Sequence, residues 1–259
     1  IILITMGPLA TTELGTDTWM PGLLARDLGE NAAWVLAYSA IIMTILRCYA
    51  GPIVHKLSPI VLLVVSAAIA IGGLFFFANA TGLVLIMADA TVYALGKTFL
   101  WSTTLGFVAE QFPKGGALTL NGVSGVGVLG MGIVGTVAMG YFQDTKIDAE
   151  LASEHPNAHA MVAADEPTST IFGKVPSVDQ AKVDALKAER DAADTDSARA
   201  EELATVVEAV EEVGYKHTKG SFIRVAVLPA FMLLCYLILF FYFRSKGGYT
   251  PVELGGGSH

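Results

Sequence analysis

Five side chains in this sequence stand where an apolar chain has no ordinary use for them. Glu13 and Asp17 lie one helical turn apart on one face of an apolar stretch covering 1–25, and Asp89, Tyr93 and Lys97 follow at i, i+4 and i+8 along another at 83–108. In a membrane each ionised group costs roughly 2.5–3.5 kcal/mol or more unless it pairs or meets water, so such groups are functional candidates by default. A buried carboxylate holds its proton more firmly, whereas a neighbouring ammonium loosens it, so a change of surroundings loads or releases a proton. The chemistry this pattern suits is proton coupling: Glu13, Asp17, Asp89 and Lys97 line one water-filled cavity, with a carboxylate alternately paired to Lys97 and protonated. The competing reading is a permanent Glu13–Lys97 or Asp89–Lys97 pair with a structural role. Trp19, Tyr38, Trp101 and Asn121 accompany the charges. Rings beside carboxylate and amide acceptors suit a polyhydroxylated ligand such as a sugar. Trp and Tyr near span ends also serve as interfacial anchors, the role expected of Trp34.

The elements that position these groups are helices. Of the 259 residues, 53% are hydrophobic, and the mean hydropathy is +0.57. A bilayer core about 30 Å thick needs about 20 helical residues to cross, and the apolar pattern predicts six spans, near 1–25, 33–50, 59–80, 83–108, 117–142 and 221–243. An open backbone finds no partners in lipid, so each span is expected to be a helix. At 1.5 Å per residue, Glu13 lies roughly 18 Å from the start of its span and Lys97 roughly 21 Å from the start of its own, which places both near the midplane. Gly7-Pro8 predicts a kink or hinge in the first span. The glycines at 122, 125, 127, 130, 132 and 135 predict close helix approach on more than one face of the fifth.

Four regions follow: 1–143 with five spans, a polar insert at 144–219, the last span and its end at 220–250, and a tail at 251–259 ending in a Gly-Gly-Gly-Ser-His run like an expression-tag linker. The net charge of −8 belongs to the insert, which carries 17 acids against 8 bases, while the rest of the chain has 7 and 8. The acidity therefore identifies no partner, and nucleic acid is not expected as one. Within the insert, 146–174 is expected to be loop, with Pro156 and Pro167 as breakers. A helix is predicted from Ser177, spaced from Gln180 as in a capping box, and a second from about Ser197, where Leu203, Val206, Val207 and Val210 recur at helical spacing. Cys48 and Cys235 fall in different apolar spans and act as small apolar groups. Arg47, Lys56, Lys114, Arg244 and Lys246 share one side if the spans alternate, and that side is expected to be the cytoplasm, with the insert opposite.

The loop from Arg47 through Gly51, His55 and Lys56 to Ser58 resembles the signature between the second and third helices of a major facilitator superfamily repeat: a Gly, an apolar stretch, an Asp, a base and a small residue closing a tight cytoplasmic turn. His55 stands where the family carries Asp. The stretches Gly96-Lys97-Thr98-Phe99-Leu100-Trp101 and Ala109-Glu110-Gln111-Phe112-Pro113-Lys114-Gly115-Gly116-Ala117 are similar to the tenth helix and following turn of bacterial members. The resemblance implies an all-α membrane fold, with six transmembrane helices forming one bundle equivalent to helices seven to twelve, plus a small extracytoplasmic helical insert. It further implies residence in a bacterial inner membrane, alternating access for a small organic solute, and completion by an N-terminal six-helix half or by a second copy. Arg47, Gly51, His55 and Lys56 would then form the conformational loop.

Other classes fit less well. The sequence shows no metal-ligand cluster, and His55, His155, His159, His217 and His259 fall in predicted loops or the tail, so neither an enzyme nor a cofactor is expected. No Walker-type phosphate loop is present to drive ATP-dependent transport, and nothing suggests a channel's ring of filter residues. The alternative kept open is a membrane receptor or assembly scaffold acting through 144–219.

Overall fold

The computed structural model describes residues 1–171, 173–192 and 198–252. By internal contacts the chain divides into two compact units, Ile1–Thr136 with Phe222–His259, and Val137–Ser221. The first begins with α1 (Ile2–Ala10), a π-helical turn (Thr11–Gly15) and α2 (Thr16–Leu28), then α3 (Ala32–Cys48), α4 (Ala50–Lys56), α5 (Pro59–Asn79), α6 (Leu83–Lys97), α7 (Leu100–Gln111), α8 (Gly116–Gly130) and a second π turn (Met131–Gly135). The second contains most of α9 (Thr136–Glu154), then α10 (Pro156–Val162), strands β1 (Thr168–Thr170) and β2 (Gly173–Val175), α11 (Gln180–Ala192) and most of α12 (Ala198–Val225). The last helix, α13 (Val227–Ser245), belongs to the first unit.

The protein is thus predominantly helical, and among the described residues four helical stretches are long and apolar enough to cross a membrane: Pro59–Asn79, Leu83–Gln111, Pro113–Glu154 and Ala198–Ser245. The second predicted span appears as the shorter apolar helix Ala32–Cys48. The first is helical from Ile2 to Leu28 but lies outside the set of four, because Thr11, Thr12, Glu13, Thr16 and Asp17 dilute its apolar content.

Within the first unit α5 packs on α6, α7 and α13, α1 on α8 and α13, and α3 on α2 and α6. Met6, Leu9, Leu63, Leu100, Met232 and Tyr236 form its buried centre. Two glycines bring α5 and α6 almost backbone to backbone: a Cβ on Gly96 would lie 2.4 Å from the Ala70 nitrogen, and one on Gly73 would lie 2.7 Å from the Tyr93 Cα. On the α8 side, a Cβ on Gly130 would lie 2.9 Å from the Gly7 Cα and one on Gly135 2.2 Å from the Thr11 hydroxyl, whereas Gly122, Gly125 and Gly132 have open space. The tightest approaches are to the first helix, and a Cβ on Gly127 would meet both Met6 of α1 and Trp101 of α7, at 3.0 and 3.3 Å. Ser58 begins α5, its side chain accepting from the Val61 N–H at 3.4 Å with Pro59 at the first helical position.

The tight turn implied by the loop signature is a helix instead, since Ala50–Lys56 forms α4, with Gly51 and Lys56 exposed. The side chain of His55 and the whole of the 255–259 linker lie outside the described residues, as does Ser197 at the predicted start of the second insert helix.

The second unit also corrects the reading of 146–174 as loop. Pro156 does not break a loop but opens α10 at its first helical position, where the missing N–H has no helical partner to lose. A two-stranded antiparallel ribbon follows, pairing Thr168 with Val175 and Thr170 with Gly173. The start of α11 is set by Asp179 rather than Ser177: its carboxylate accepts from the Ala181 N–H at 2.9 Å, while the Ser177 hydroxyl bonds Thr168. Leu151, Ala158, Val162, Val183, Leu186, Leu203 and Val207 close the unit's own core. His159 and His217 are helical, bonded to Asp148 at 2.8 Å and to Glu150 at 2.9 Å, and so are not the loop histidines predicted.

Candidate functional site

The first helix is prepared for interruption well before its charges. Pro8 can give no N–H to its own turn, and three residues later the chain opens into the π turn that carries Glu13. Such single π turns mark functional positions in many helices. Threonine hydroxyls satisfy the loosened carbonyls: Thr11 donates to Gly7 O at 2.9 Å, Thr12 to Pro8 O at 2.8 Å and Thr16 to Thr12 O at 2.8 Å. The Tyr93 hydroxyl of α6 also lies 2.5 Å from Thr12 O and 3.1 Å from the Thr16 hydroxyl, tying the π turn to the fourth predicted span.

That span is broken where Glu13 meets it. α6 ends at Lys97 and α7 begins at Leu100, with Thr98 and Phe99 in a turn between them. In an unbroken helix the Trp101 N–H would bond Lys97 O and Thr98 O would accept from the Ser102 N–H. Instead Trp101 N–H donates to Glu13 Oε2 at 2.9 Å, and Thr98 O accepts from Arg47 Nε at 3.3 Å. Arg47 Nη2 closes the triangle on Glu13 Oε1 at 2.7 Å. The carboxylate thus sits at the N-terminus of α7 and the guanidinium at the C-terminal side of α6, each matched in sign to the helix end it meets.

One turn further along α2, Asp17 forms an ion pair with Lys97. The Lys97 ammonium also lies 5.4 Å from the centre of the Tyr93 ring, within cation–π range. Exposure of the four charged side chains is uneven: 4% for Glu13, 0% for Lys97, 26% for Asp17 and 45% for Arg47.

The geometry corrects the sequence-based pairings. Glu13 is held by Arg47, not Lys97, and the carboxylate on Lys97 is Asp17, not Asp89. Arg47 does not belong to a loop: it lies in the last turn of α3 and reaches from there to Glu13. Asp89 is half-buried one turn before Tyr93 on the predicted stripe. Tyr38 joins α3 to α6 through its hydroxyl, 2.9 Å from that of Thr91. Trp19 is half-buried, its ring beside Gly15, whereas Asn121 is exposed on α8. Trp34 is 69% exposed, as suits an interfacial ring. Sequence reasoning missed the break at Thr98–Phe99, which neither Pro nor Gly announces, and the main-chain groups it frees.

The two pairs hold two carboxylates against two cations across the first, second and fourth predicted spans. Protonation of Glu13 would remove the charge that Arg47 answers while leaving a carbonyl oxygen for Trp101. The node can therefore change its electrostatics without dismantling its backbone contacts. A separate apolar groove of about 620 Å³, lined by residues such as Ile2, Phe107, Val123 and Leu239, contains none of these charges.

No protein-family model matches this chain, and searches of curated proteins and of solved structures return no match either.

Proposed function

We propose that this chain is one six-helix half of a secondary active transporter of the major facilitator type. It moves a small polar organic solute by alternating access, coupled to protons through Glu13. The observation that carries this reading is the Glu13 carboxylate, 4% exposed, held at once by Arg47 and by a main-chain amide freed at a helix break. Interrupted helices at mid-membrane, with side chains answering their exposed ends, are the construction that carriers use for solute and ion sites. A merely structural pair needs neither the break nor the π turn. The ionisable groups around Glu13 include Arg47 from α3, Lys97 and Tyr93 from α6, Asp17 from α2 and Tyr236 from α13, so its protonation is read by four helices. The membrane itself, a proton and the complementary half or a second copy complete the proposed set of partners.

The test is uptake of labelled sugars, sugar acids, nucleosides and amino acids into proteoliposomes of the full-length protein, with and without a protonophore. Gradient-dependent uptake of one class, with coupling lost in Glu13→Gln, is the expected result. Uptake indifferent to both removes the coupling role of Glu13, and no uptake by correctly inserted protein removes the carrier. The scaffold reading has its own support in Val137–Ser221, which forms a separate core. Under it, deletion of 144–219 abolishes activity while Glu13→Gln, Asp89→Asn and Lys97→Met are tolerated.

A further inference from the structure

The two ion pairs differ in what they leave available. Lys97 is fully enclosed, committed to Asp17 and set against the Tyr93 ring. Arg47 is not. Among the described residues its guanidinium spends Nη2 on Glu13 and Nε on Thr98 O, and 45% of the side chain remains exposed. A guanidinium offers five N–H donors in a planar fork, so its outer edge keeps donors in the geometry that takes a carboxylate or phosphate two bonds at a time. Under the carrier reading a half-exposed charge inside a span faces water or an anion rather than hydrocarbon. The acids differ as well, with Glu13 enclosed behind Arg47 and Asp17 keeping 26% of its side chain exposed beside the enclosed Lys97, whose charge it answers. Of the four charges Arg47 is the most exposed, and it is the one with donors to spare. Trp101, whose own N–H holds Glu13, is half-buried beside the node.

We infer that the solute carries an oxyanion, a carboxylate in the first instance, which binds the open edge of the Arg47 guanidinium and competes with Glu13 for it. The inference rests on the carrier reading and narrows its sugar-like solute to a sugar acid or comparable organic acid. Competition has a distinctive consequence. Neutralising Glu13 strengthens anion binding even as it removes proton coupling, because Arg47 loses its resident partner.

Tryptophan fluorescence of the purified full-length protein tests this, titrated with paired probes of similar shape: glucuronate against glucose, and acetate against acetamide. The expected result is preference for the acid in each pair, about tenfold tighter binding in Glu13→Gln, and loss of that gain in Glu13→Gln/Arg47→Gln. The double variant removes both partners, so it leaves no buried charge unanswered and remains a fair folding control. Equal affinity for acid and neutral probes overturns the inference, as does acid binding that ignores Arg47. Repeating the titration in nanodiscs of phosphatidylcholine, with and without phosphatidylglycerol, separates the sources of the anion. Displacement of the acids by phosphatidylglycerol in an Arg47-dependent manner assigns the edge to lipid headgroups and overturns the solute. Gradient-driven uptake of neutral sugars unaffected by Arg47→Gln also overturns the inference yet leaves the carrier standing. Arg47-dependent acid binding without any uptake upholds the anion site and removes the carrier.

Discussion

The Asp17–Lys97 pair predicts an asymmetry that depends on burial alone. Replacing Asp17 by Asn strands an ammonium that is fully enclosed, and removing one member of a buried pair costs about 3–5 kcal/mol. The Tyr93 ring at 5.4 Å is present in parent and variant alike and cancels, so the net loss is expected near about 3–5 kcal/mol. Replacing Lys97 by Met instead leaves a carboxylate 26% exposed, which hydrates and takes up little of the penalty, and Met occupies the volume of the lysine stem. A loss of about 1 kcal/mol is expected there. The double variant Asp17→Asn/Lys97→Met strands no charge and should lie within about 1 kcal/mol of the parent, giving a non-additivity of about 2 kcal/mol or more. Equilibrium titration with SDS from a mild detergent, followed by tryptophan fluorescence, measures all four proteins. Lys97→Met as damaging as Asp17→Asn, or a strictly additive double variant, would refute the argument from burial.

Three further outcomes are expected. Gly96→Ala places a methyl 2.4 Å from the Ala70 nitrogen, a main-chain atom that cannot step aside, and should destabilise by about 2–3 kcal/mol in the same titration, while Gly106→Ala, with nothing within 4 Å, should stay within about 0.5 kcal/mol of the parent. Burial, and then its hydrogen bond to Glu110, push the Tyr249 phenol above its usual range. The folded chain therefore keeps a proton that the unfolded chain sheds, so the contact's contribution is fully present below about pH 10 and is lost as pH rises through the higher folded-state value. Thermal melts of the parent and Tyr249→Phe from pH 8 to 11.5 should show the parent's advantage shrinking only at the alkaline end. Asp179→Ala should cost about 1 kcal/mol and speed amide exchange in the first turn of Gln180–Ala192, with no change in Ser177→Ala.

How much of this was legible in the sequence depended on whether the signal was local. The helices at Pro59–Asn79 and Leu83–Gln111 follow from uninterrupted apolar runs, and the spacing of Asp89, Tyr93 and Lys97 places them on one stripe of one helix. The partners of Glu13 and Lys97 were not legible, because spacing along a helix says which side chains share a face but not which neighbour that face meets. Arg47 illustrates this: read along the chain it belongs to a cytoplasmic loop, yet its long stem carries the guanidinium back to a carboxylate 34 residues earlier. The break at Thr98–Phe99 left no mark either, since Thr and Phe are ordinary helix residues and the interruption is held by side chains from other helices. In the insert, Pro156 was misread because proline stops a helix it interrupts but suits one it begins.

The shared hydrogen bonds at that break also bear on how the protein is made. A membrane helix ordinarily keeps its backbone bonds private, which lets it enter the bilayer alone. The segment Leu83–Gln111 cannot do so in its final form, because the Trp101 amide and the Thr98 carbonyl are answered by Glu13 and Arg47. The first two predicted spans, which carry those side chains, leave the ribosome before it. Chain order thus supplies the two capping groups before the helix that needs them, and the node is a product of the packed helices rather than of any single segment.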